Sequence, residues 1–242
     1  MDVRVISLPH SDDRRATARQ TLETAGVSFE FFDALDGRAG AGDEADVVSV
    51  RRLMGRDLGA GELGCYRSHL ALWRLCAAEN RNMTIFEDDV QVAPDLAAVL
   101  DWTDEKLGRF GYIRLGGHHS VAARQTGLSV PGQRQLVRLS KNPFGAFGYS
   151  ISPTCARRFV ETCSRITRPV DEMIDRFWET GVLPYAVLPY PVFITELHPS
   201  LLDADVVRAG WRSGSFVGHV RLKVLRHADS FRRRLFNWRS PD

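Results

Sequence analysis

An α/β fold, a mainly parallel sheet with helices on both faces, is what this sequence predicts, and three observations carry the prediction. Segments of strand character alternate with segments of helical period along most of the chain. The apolar run 83–86 has strand length and directly follows a helix-periodic stretch, the helix-to-strand half of a crossover unit. The 242 residues are 44% hydrophobic, enough to bury one sizeable core. In such sheets ligands sit beyond the carboxyl ends of the strands.

The elements follow from local pattern. Residues 3–8 read as a first strand, Ser11 or Asp12 can cap the helix after it, Gly26 stops that helix, and residues 29–32 form a second strand. Residues 36–61, rich in glycine and acidic side chains and without sustained period, read as a long surface loop. Over 62–80, Leu63, Tyr66, Leu70, Trp73 and Ala77 recur at helical spacing. After Pro94 a helix carries Leu96, Val99, Leu100 and Trp102; residues 112–115, 136–139 and 147–151 read as strands, and two further helices open near Pro153 and Pro169. The last extended run, 185–194, is interrupted by prolines and is therefore placed at a sheet edge.

The strand 83–86 runs straight into Glu87, Asp88 and Asp89, which sets three carboxylates at a strand's carboxyl end. Side chains two residues apart on extended chain point the same way, so Glu87 and Asp89 can face one ligand. Crowded carboxylates repel unless solvent or a cation compensates. Mn²⁺ and Mg²⁺ prefer oxygen ligands of this kind, and such an ion can grip a diphosphate and neutralise its charge as it leaves. Taken alone, a triplet like this is more often a solvated acidic turn or helix cap.

The surrounding pattern changes that weighting. Glu62-Leu63-Gly64-Cys65-Tyr66-Arg67-Ser68-His69 followed by Trp73, then Ile85-Phe86-Glu87-Asp88-Asp89, resembles the signature of glycosyltransferase family 25, the bacterial lipooligosaccharide galactosyltransferases and their collagen-modifying relatives. Ile6-Ser7-Leu8 with Asp13-Arg14-Arg15 is similar to the family's opening. Phe31-Phe32-Asp33-Ala34-Leu35-Asp36-Gly37 is similar to its second strand and turn. Gly145-Ala146-Phe147-Gly148-Tyr149-Ser150-Ile151-Ser152 with Ala156, and Pro169-Val170-Asp171, are similar to its later blocks. Several ordered blocks over roughly residues 1 to 200 are far more specific than one motif.

The resemblance implies a GT-A type catalytic domain, set at 1–207 because the basic segment 208–242 beyond it matches no block of the family. It implies a nucleotide sugar donor, usually UDP-galactose, inversion at the anomeric carbon, a lipooligosaccharide or other glycan acceptor, and Mn²⁺ or Mg²⁺ at the DxD-like element. In that logic Asp89 is the primary metal ligand, and Glu87 or Asp88 touches ribose or a metal-bound water. His198, before Pro199 and Ser200, is a candidate C-terminal metal ligand. Asp171 is the candidate base for the acceptor hydroxyl, with Glu172 as fallback; its position at a helix start makes simple capping the competing role. Leu8, Arg14 and Arg15 follow the first strand, where a donor nucleotide docks, and Arg suits phosphate. Ser68 and His69 join Glu87 and Asp88 on the donor side, although a lone helical histidine gives no metal-ligand signal. Gly116, His118, Gly145 and Tyr149 are placed along the acceptor cleft.

Cys65, Cys76, Cys155 and Cys163 form no CxxC pair, which predicts buried thiols in a reducing compartment. The opening reads as a strand rather than a signal peptide, and no apolar run reaches bilayer length, so a cytoplasmic protein is expected, or one attached to a membrane from its cytoplasmic face. Residues 208–242 hold nine Lys or Arg against two Asp, a charge of +7 against −5 for the remainder. Interleaved with Val220, Leu222, Val224, Leu225, Phe231, Leu235, Phe236 and Trp238, these basic residues read as an interfacial segment for an anionic membrane. A terminal helix packed on the domain is the alternative. No nucleic-acid partner is expected, because the tail lacks the aromatic-glycine pattern of an RNA-binding sheet. Two rivals remain: a Mg²⁺-dependent phosphoryl transferase or hydrolase, disfavoured by the lack of GxxxxGK[ST], and an inactive nucleotide-sugar-binding module, disfavoured by the intact triplet and Asp171.

Overall fold

The computed structural model describes residues 1–39, 44–141, 143–194 and 216–240. Its main sheet has eight strands: β1 (Asp2–Ser7), β2 (Glu30–Asp33), β3 (Met83–Glu87), β5 (Tyr112–Arg114), β6 (Ala123–Val130), β7 (Arg134–Leu139), β8 (Gly148–Ile151) and β9 (Tyr185–Leu188). Their order is β2-β1-β3-β8-β5-β9-β7-β6. β1 is parallel to β2 and β3, β5 is parallel to β9, and the pairings β3–β8, β8–β5, β9–β7 and β7–β6 are antiparallel. Six strands therefore run one way and only β8 and β7 are reversed, in keeping with the α/β class expected. A separate antiparallel pair joins β4 (Val90–Val92) to β10 (Val192–Ile194).

Helices cover both faces, and the period-2 alternation of the strands decides which residues meet which layer. On one face Met83 and Ile85 of β3, Tyr112 of β5 and Tyr149 and Ile151 of β8 pack with Leu70 and Trp73 of α3 (Ala60–Glu79), Phe159 of α5 (Pro153–Cys163) and Met173 of α6 (Val170–Ile174). On the other, Val3, Val5, Phe86, Ile113 and Val187 pack with Leu22 of α1 (Asp12–Thr24) and Val99 and Leu107 of α4 (Leu96–Phe110).

Two expectations need correction. Residues 36–61 are not one long loop, because a 3₁₀ turn (Gly37–Ala39) and helix α2 (Val47–Met54) lie within them. Asp46 caps α2 by accepting from the Ser49 amide at 2.9 Å, and Gly55 closes it at φ 74°, two local signals that outweigh the weak period. The run 185–194 is not one edge strand: it divides at Pro189 and Pro191 into β9, which lies between β5 and β7, and β10, which pairs with β4 in the two-stranded sheet. The sequence reading also passed over β4, β6 and the short α7 (Phe177–Thr180).

The basic segment forms helix α8 (Phe216–Arg239). Its inner face docks on the domain. Asp229 takes two bonds from Arg176 at 2.8 Å each, Phe236 meets Phe177 at 5.4 Å between ring centroids, and Asn237 donates to the Ser140 carbonyl at 3.1 Å. The outer face carries Val224, Phe231 and Trp238, seven residues apart and 61%, 66% and 75% exposed. Exposed Lys223, Arg232, Arg234 and Arg239 flank that stripe. The expected boundary at 207/208 lies outside the described residues.

Candidate active site

The blocks that stand apart in sequence pack against one another. Helix α3 starts with Glu62, whose carboxylate accepts from the Gly59 amide at 2.9 Å and from both Arg56 terminal nitrogens at 2.6 and 2.7 Å. Two residues along, the strand-β2 exit crosses α3 so closely that a Cβ on Gly64 would sit 2.5 Å from the Leu35 carbonyl oxygen, and one on Gly37 1.9 Å from that of Ala60. Glycine at both positions is a condition of that crossing. Ser68 locks it, accepting from the Leu35 amide at 2.9 Å while donating to the Gly64 carbonyl at 2.7 Å. Fully buried, Ser68, expected on the donor side, holds two elements together.

His69, Trp73 and Tyr149 form a buried polar chain under the sheet's carboxyl end. Trp73 Nε1 donates to the Tyr149 hydroxyl at 2.8 Å, and that hydroxyl lies 2.8 Å from His69 Nδ1. Tyr149, expected along an acceptor cleft, is 1% exposed, with its hydroxyl taken up by these two side chains. Because the indole only donates, the hydroxyl is free to give its own proton to Nδ1, which leaves the neutral ring's proton on Nε2. Nε2 stands 3.6 Å from Glu87 Oε1, too long for a hydrogen bond, and has no hydrogen-bond partner among the described residues.

Strand β3 delivers the triplet as expected. The Glu87 amide donates to the Phe147 carbonyl at 3.1 Å, which fixes the strand end to the chain entering β8. Asp88 and Asp89 form the two-residue step between β3 and β4. Arg14, from the first turn of α1, reaches back to both, contacting Asp88 and lying 3.1 Å from Asp89 Oδ2. Burial raises the Asp88 carboxyl above its ordinary range, against the pull of Ser7 and Arg14. Burial first, then the charge of Glu87, pushes Asp89 up to about 6 despite Arg14. Asp89 Oδ1 is buried with no hydrogen-bond partner among the described residues. An unpartnered, half-compensated carboxylate oxygen beside two more carboxylates fits a hard divalent cation, with Asp89 and Glu87 as the residues placed to hold it.

Asp171 faces this cluster from α6. Its carboxylate accepts from the Glu172 amide at 2.9 Å and from the Gly145 amide at 3.4 Å; burial raises its pKa, as does Glu87 to a smaller degree. Glu172 instead pairs with Arg168 at 3.2 Å, and burial raises it too. Gly145, at φ 79°, belongs to the turn that presents its amide to Asp171, and Gly116 is buried against the Phe147 ring. His118 and His119 are exposed, with His119 6.0 Å from the ring of Phe144, itself 42% exposed and at a positive φ of 58°. These three rings form the rim nearest Gly145.

Arg15 takes a different course from Arg14: it donates to the Ser7 carbonyl at 3.0 Å, pairs with Asp33 and lies over Phe31. It ties β1 to β2. Leu8, at the β1 exit, uses its carbonyl to accept from the Ser11 amide at 3.0 Å. His198 lies outside the described residues.

Sequence reasoning missed Arg114 and Asp175. The guanidinium bonds both Asp175 oxygens at 2.7 Å and reaches the carbonyls of Phe144, at 3.0 Å, and Gly145, so it holds the turn whose amide meets Asp171. The signal was a lone arginine in an otherwise apolar strand, since a buried charge requires a partner. Cys65 was also missed as a site neighbour: its Sγ lies 3.9 Å from Glu87 Oε1.

Known proteins similar to this chain identify its family. The family model described as "Glycosyltransferase family 25 (LPS biosynthesis protein)" matches residues 1–174. Procollagen galactosyltransferase 1-A of Xenopus laevis is 27% identical over 194 residues, 72% of this chain, which spans only 30% of that relative's length. The lacto-N-neotetraose biosynthesis glycosyltransferase LgtB of Neisseria meningitidis serogroup B is 28% identical over 240 residues, covering 92% of this chain and 84% of the relative. A crystal structure of the galactosyltransferase LgtC with donor and acceptor sugar analogs aligns at a TM-score of 0.40 and 14% identity, over 76% of this chain and 71% of that one. With nearly three quarters of its length matched by the family model, the chain belongs to glycosyltransferase family 25.

Proposed function

We propose that this chain transfers a sugar, galactose from UDP-galactose, to a lipooligosaccharide or related glycan with inversion at the anomeric carbon. The observation that carries the reading is the carboxylate cluster at the β3 end, with the unpartnered Asp89 Oδ1, faced by Asp171 across the same strand end. A divalent cation held by Asp89 and Glu87 would supply the charge that offsets the leaving diphosphate. Arg14 keeps Asp88 and Asp89 together against their repulsion. Asp171, its basicity increased by burial and its oxygens aimed by two amides, takes the proton of the acceptor hydroxyl as that oxygen bonds the anomeric carbon and the bond to the diphosphate breaks. Phe144, His118 and His119 offer ring faces and nitrogens to the acceptor sugar beside it.

The outer face of α8 supports a further part of the reading, peripheral docking on an anionic membrane. Val224, Phe231 and Trp238 enter the headgroup region while Lys223, Arg232, Arg234 and Arg239 meet anionic lipid, which holds the cleft beside a lipid-linked acceptor. No helix among the described residues is long and apolar enough to cross a membrane. Released nucleotide, measured with Mn²⁺ and a panel of UDP- and GDP-sugars, tests the central proposal: UDP-galactose turnover that disappears in Asp171→Asn is expected. Turnover with GDP-sugars alone overturns the donor, and no turnover with any sugar in the presence of lipooligosaccharide acceptors overturns the reaction.

A further inference from the structure

Cys65 and His69 lie one turn apart on α3, at i and i+4 on the same face, and both aim at the carboxylate that ends β3. Cys65 Sγ is 3.9 Å and His69 Nε2 3.6 Å from Glu87 Oε1, and all three atoms lie within 4.8 Å of one another. The nitrogen contact is too long for a hydrogen bond, and the thiol is a weak donor at the limit of its range. Around a tetrahedral Zn²⁺, with bonds of about 2.0 Å to nitrogen and oxygen and about 2.3 Å to sulfur, the same atoms stand about 3.3 and about 3.5 Å apart. Shifts of a few tenths of an ångström would bring Glu87 to both partners, and the sulfur and nitrogen, within 4.8 Å of each other, would close by at most about 1.3 Å through side-chain rotation. His69 Nε2 is fully buried and unpartnered among the described residues, and it points into this space.

We propose that Cys65, His69 and Glu87 form a site for a thiophilic divalent cation, Zn²⁺ in class, with the fourth position open, and that filling it withdraws Glu87 from the donor site. Thiolate with imidazole selects against Mg²⁺ and Mn²⁺, which favour the all-oxygen side of the cluster at Asp89. Binding displaces the Cys65 thiol proton to solvent, forming the sulfur–metal bond. The His69 ring proton moves from Nε2 to Nδ1, where the Tyr149 hydroxyl, with two acceptor positions, receives it beside the Trp73 N–H. Tyr149 then orients the ligand as outer partners of metal-bound histidines do. A lone helical histidine carries no such signal in sequence; the thiol one turn earlier supplies it.

The site itself stands apart from the proposed transfer; only its effect on turnover rests on that reading. Co²⁺ serves as the probe, added to metal-free full-length protein. One equivalent should raise a near-ultraviolet thiolate-to-Co²⁺ charge-transfer absorption that Zn²⁺ removes. Cys65→Ser should abolish the band, His69→Gln should weaken Co²⁺ binding by more than the roughly 10- to 100-fold that loss of an outer partner costs, and Asp89→Asn should leave the band in place. No band in the wild-type protein overturns the site, as does a band that survives in Cys65→Ser, which would belong to Cys155, the other half-buried thiol. In assays with Mn²⁺, Zn²⁺ should inhibit the wild-type enzyme and spare Cys65→Ser. A Cys65-dependent band without that inhibition overturns the link to Glu87, whereas a band in a protein without transferase activity upholds the site and overturns the proposed function.

Discussion

Two acidic groups, Asp175 buried and Asp89 partly so, are both raised by burial to about 6 and have opposite surroundings. Asp175 receives two bonds at 2.7 Å from Arg114, whose remaining N–H groups end on backbone carbonyls and the Tyr112 hydroxyl. Asp89 has a shared arginine on one oxygen, no hydrogen-bond partner on the other among the described residues, and two carboxylates beside it. A perturbed carboxyl alone does not distinguish a strut from a reactive centre. The partner inventory does: a saturated pair holds structure, and an undersupplied cluster is built for something that arrives later.

The comparison breaks most visibly at Asp89. Asp89→Asn should lower transfer by roughly 1,000-fold, about 4 kcal/mol of barrier, while leaving the thermal midpoint unchanged or higher because repulsion is relieved. A variant that stays active, or one that unfolds, removes the distinction between the two groups. Asp171→Asn should keep donor affinity and lose roughly 100- to 10,000-fold in kcat, read by nucleotide titration alongside turnover. Near wild-type kcat would reduce Asp171 to a link between α6 and Gly145.

Arg114→Met should act in the opposite sense, costing about 3 to 5 kcal/mol of stability by leaving Asp175 buried without its partner. Denaturant unfolding measures it, and a loss below about 1 kcal/mol would contradict the strut assignment. Asp89 also predicts a pH effect. Its folded pKa of about 6 lies above the ordinary 3.8, so between those values the folded chain holds a proton the unfolded chain has released. The metal-free protein therefore loses stability as pH rises through that window. A cation requires the proton gone, so the Mn²⁺-induced gain in Tm should be small at pH 5 and larger at pH 7.5; equal gains at both would count against Asp89 as ligand. The smallest effect belongs to α8: Phe231→Ser should leave Tm and turnover on soluble acceptor untouched, yet reduce pelleting with anionic vesicles at low salt.

Much of this was legible in the residues. The strand end that bears Glu87, Asp88 and Asp89 follows from an apolar run meeting charge, and the two helices from Pro153 at the first turn of α5 and Pro94 just before the cap of α4. Other features required tertiary contact. Ser68, the Nδ1 of His69 and the Tyr149 hydroxyl are polar atoms of the kind a site uses, yet in the fold they satisfy one another or the backbone while His69 Nε2 is left over, and no spacing rule separates a group aimed at ligand from one aimed at a neighbouring helix. Pro189 and Pro191 suggested an edge because the rule against proline concerns hydrogen-bonded positions, and where β9 stops could not be read from composition. The basic tail displayed its apolar residues clearly, but the division between the docked Phe236 and the outward Phe231 depends on Phe177 and Arg176 being nearby.

The step from β3 to β4 has one more consequence. Glu87 still pairs in the large sheet, Val90 already pairs with Ile194 in the small one, and only Asp88 and Asp89 span the change. Both sides being in register, chain length here is as constrained as residue type. One residue inserted between Asp89 and Val90 would turn every side chain of β4 to the opposite face or break its ladder with β10. The same insertion in the turn 131–133 of the β6–β7 hairpin, at the far edge of the sheet, would be absorbed as a longer loop. Natural length variation in proteins built this way should therefore collect at that hairpin and be absent between residues 87 and 90.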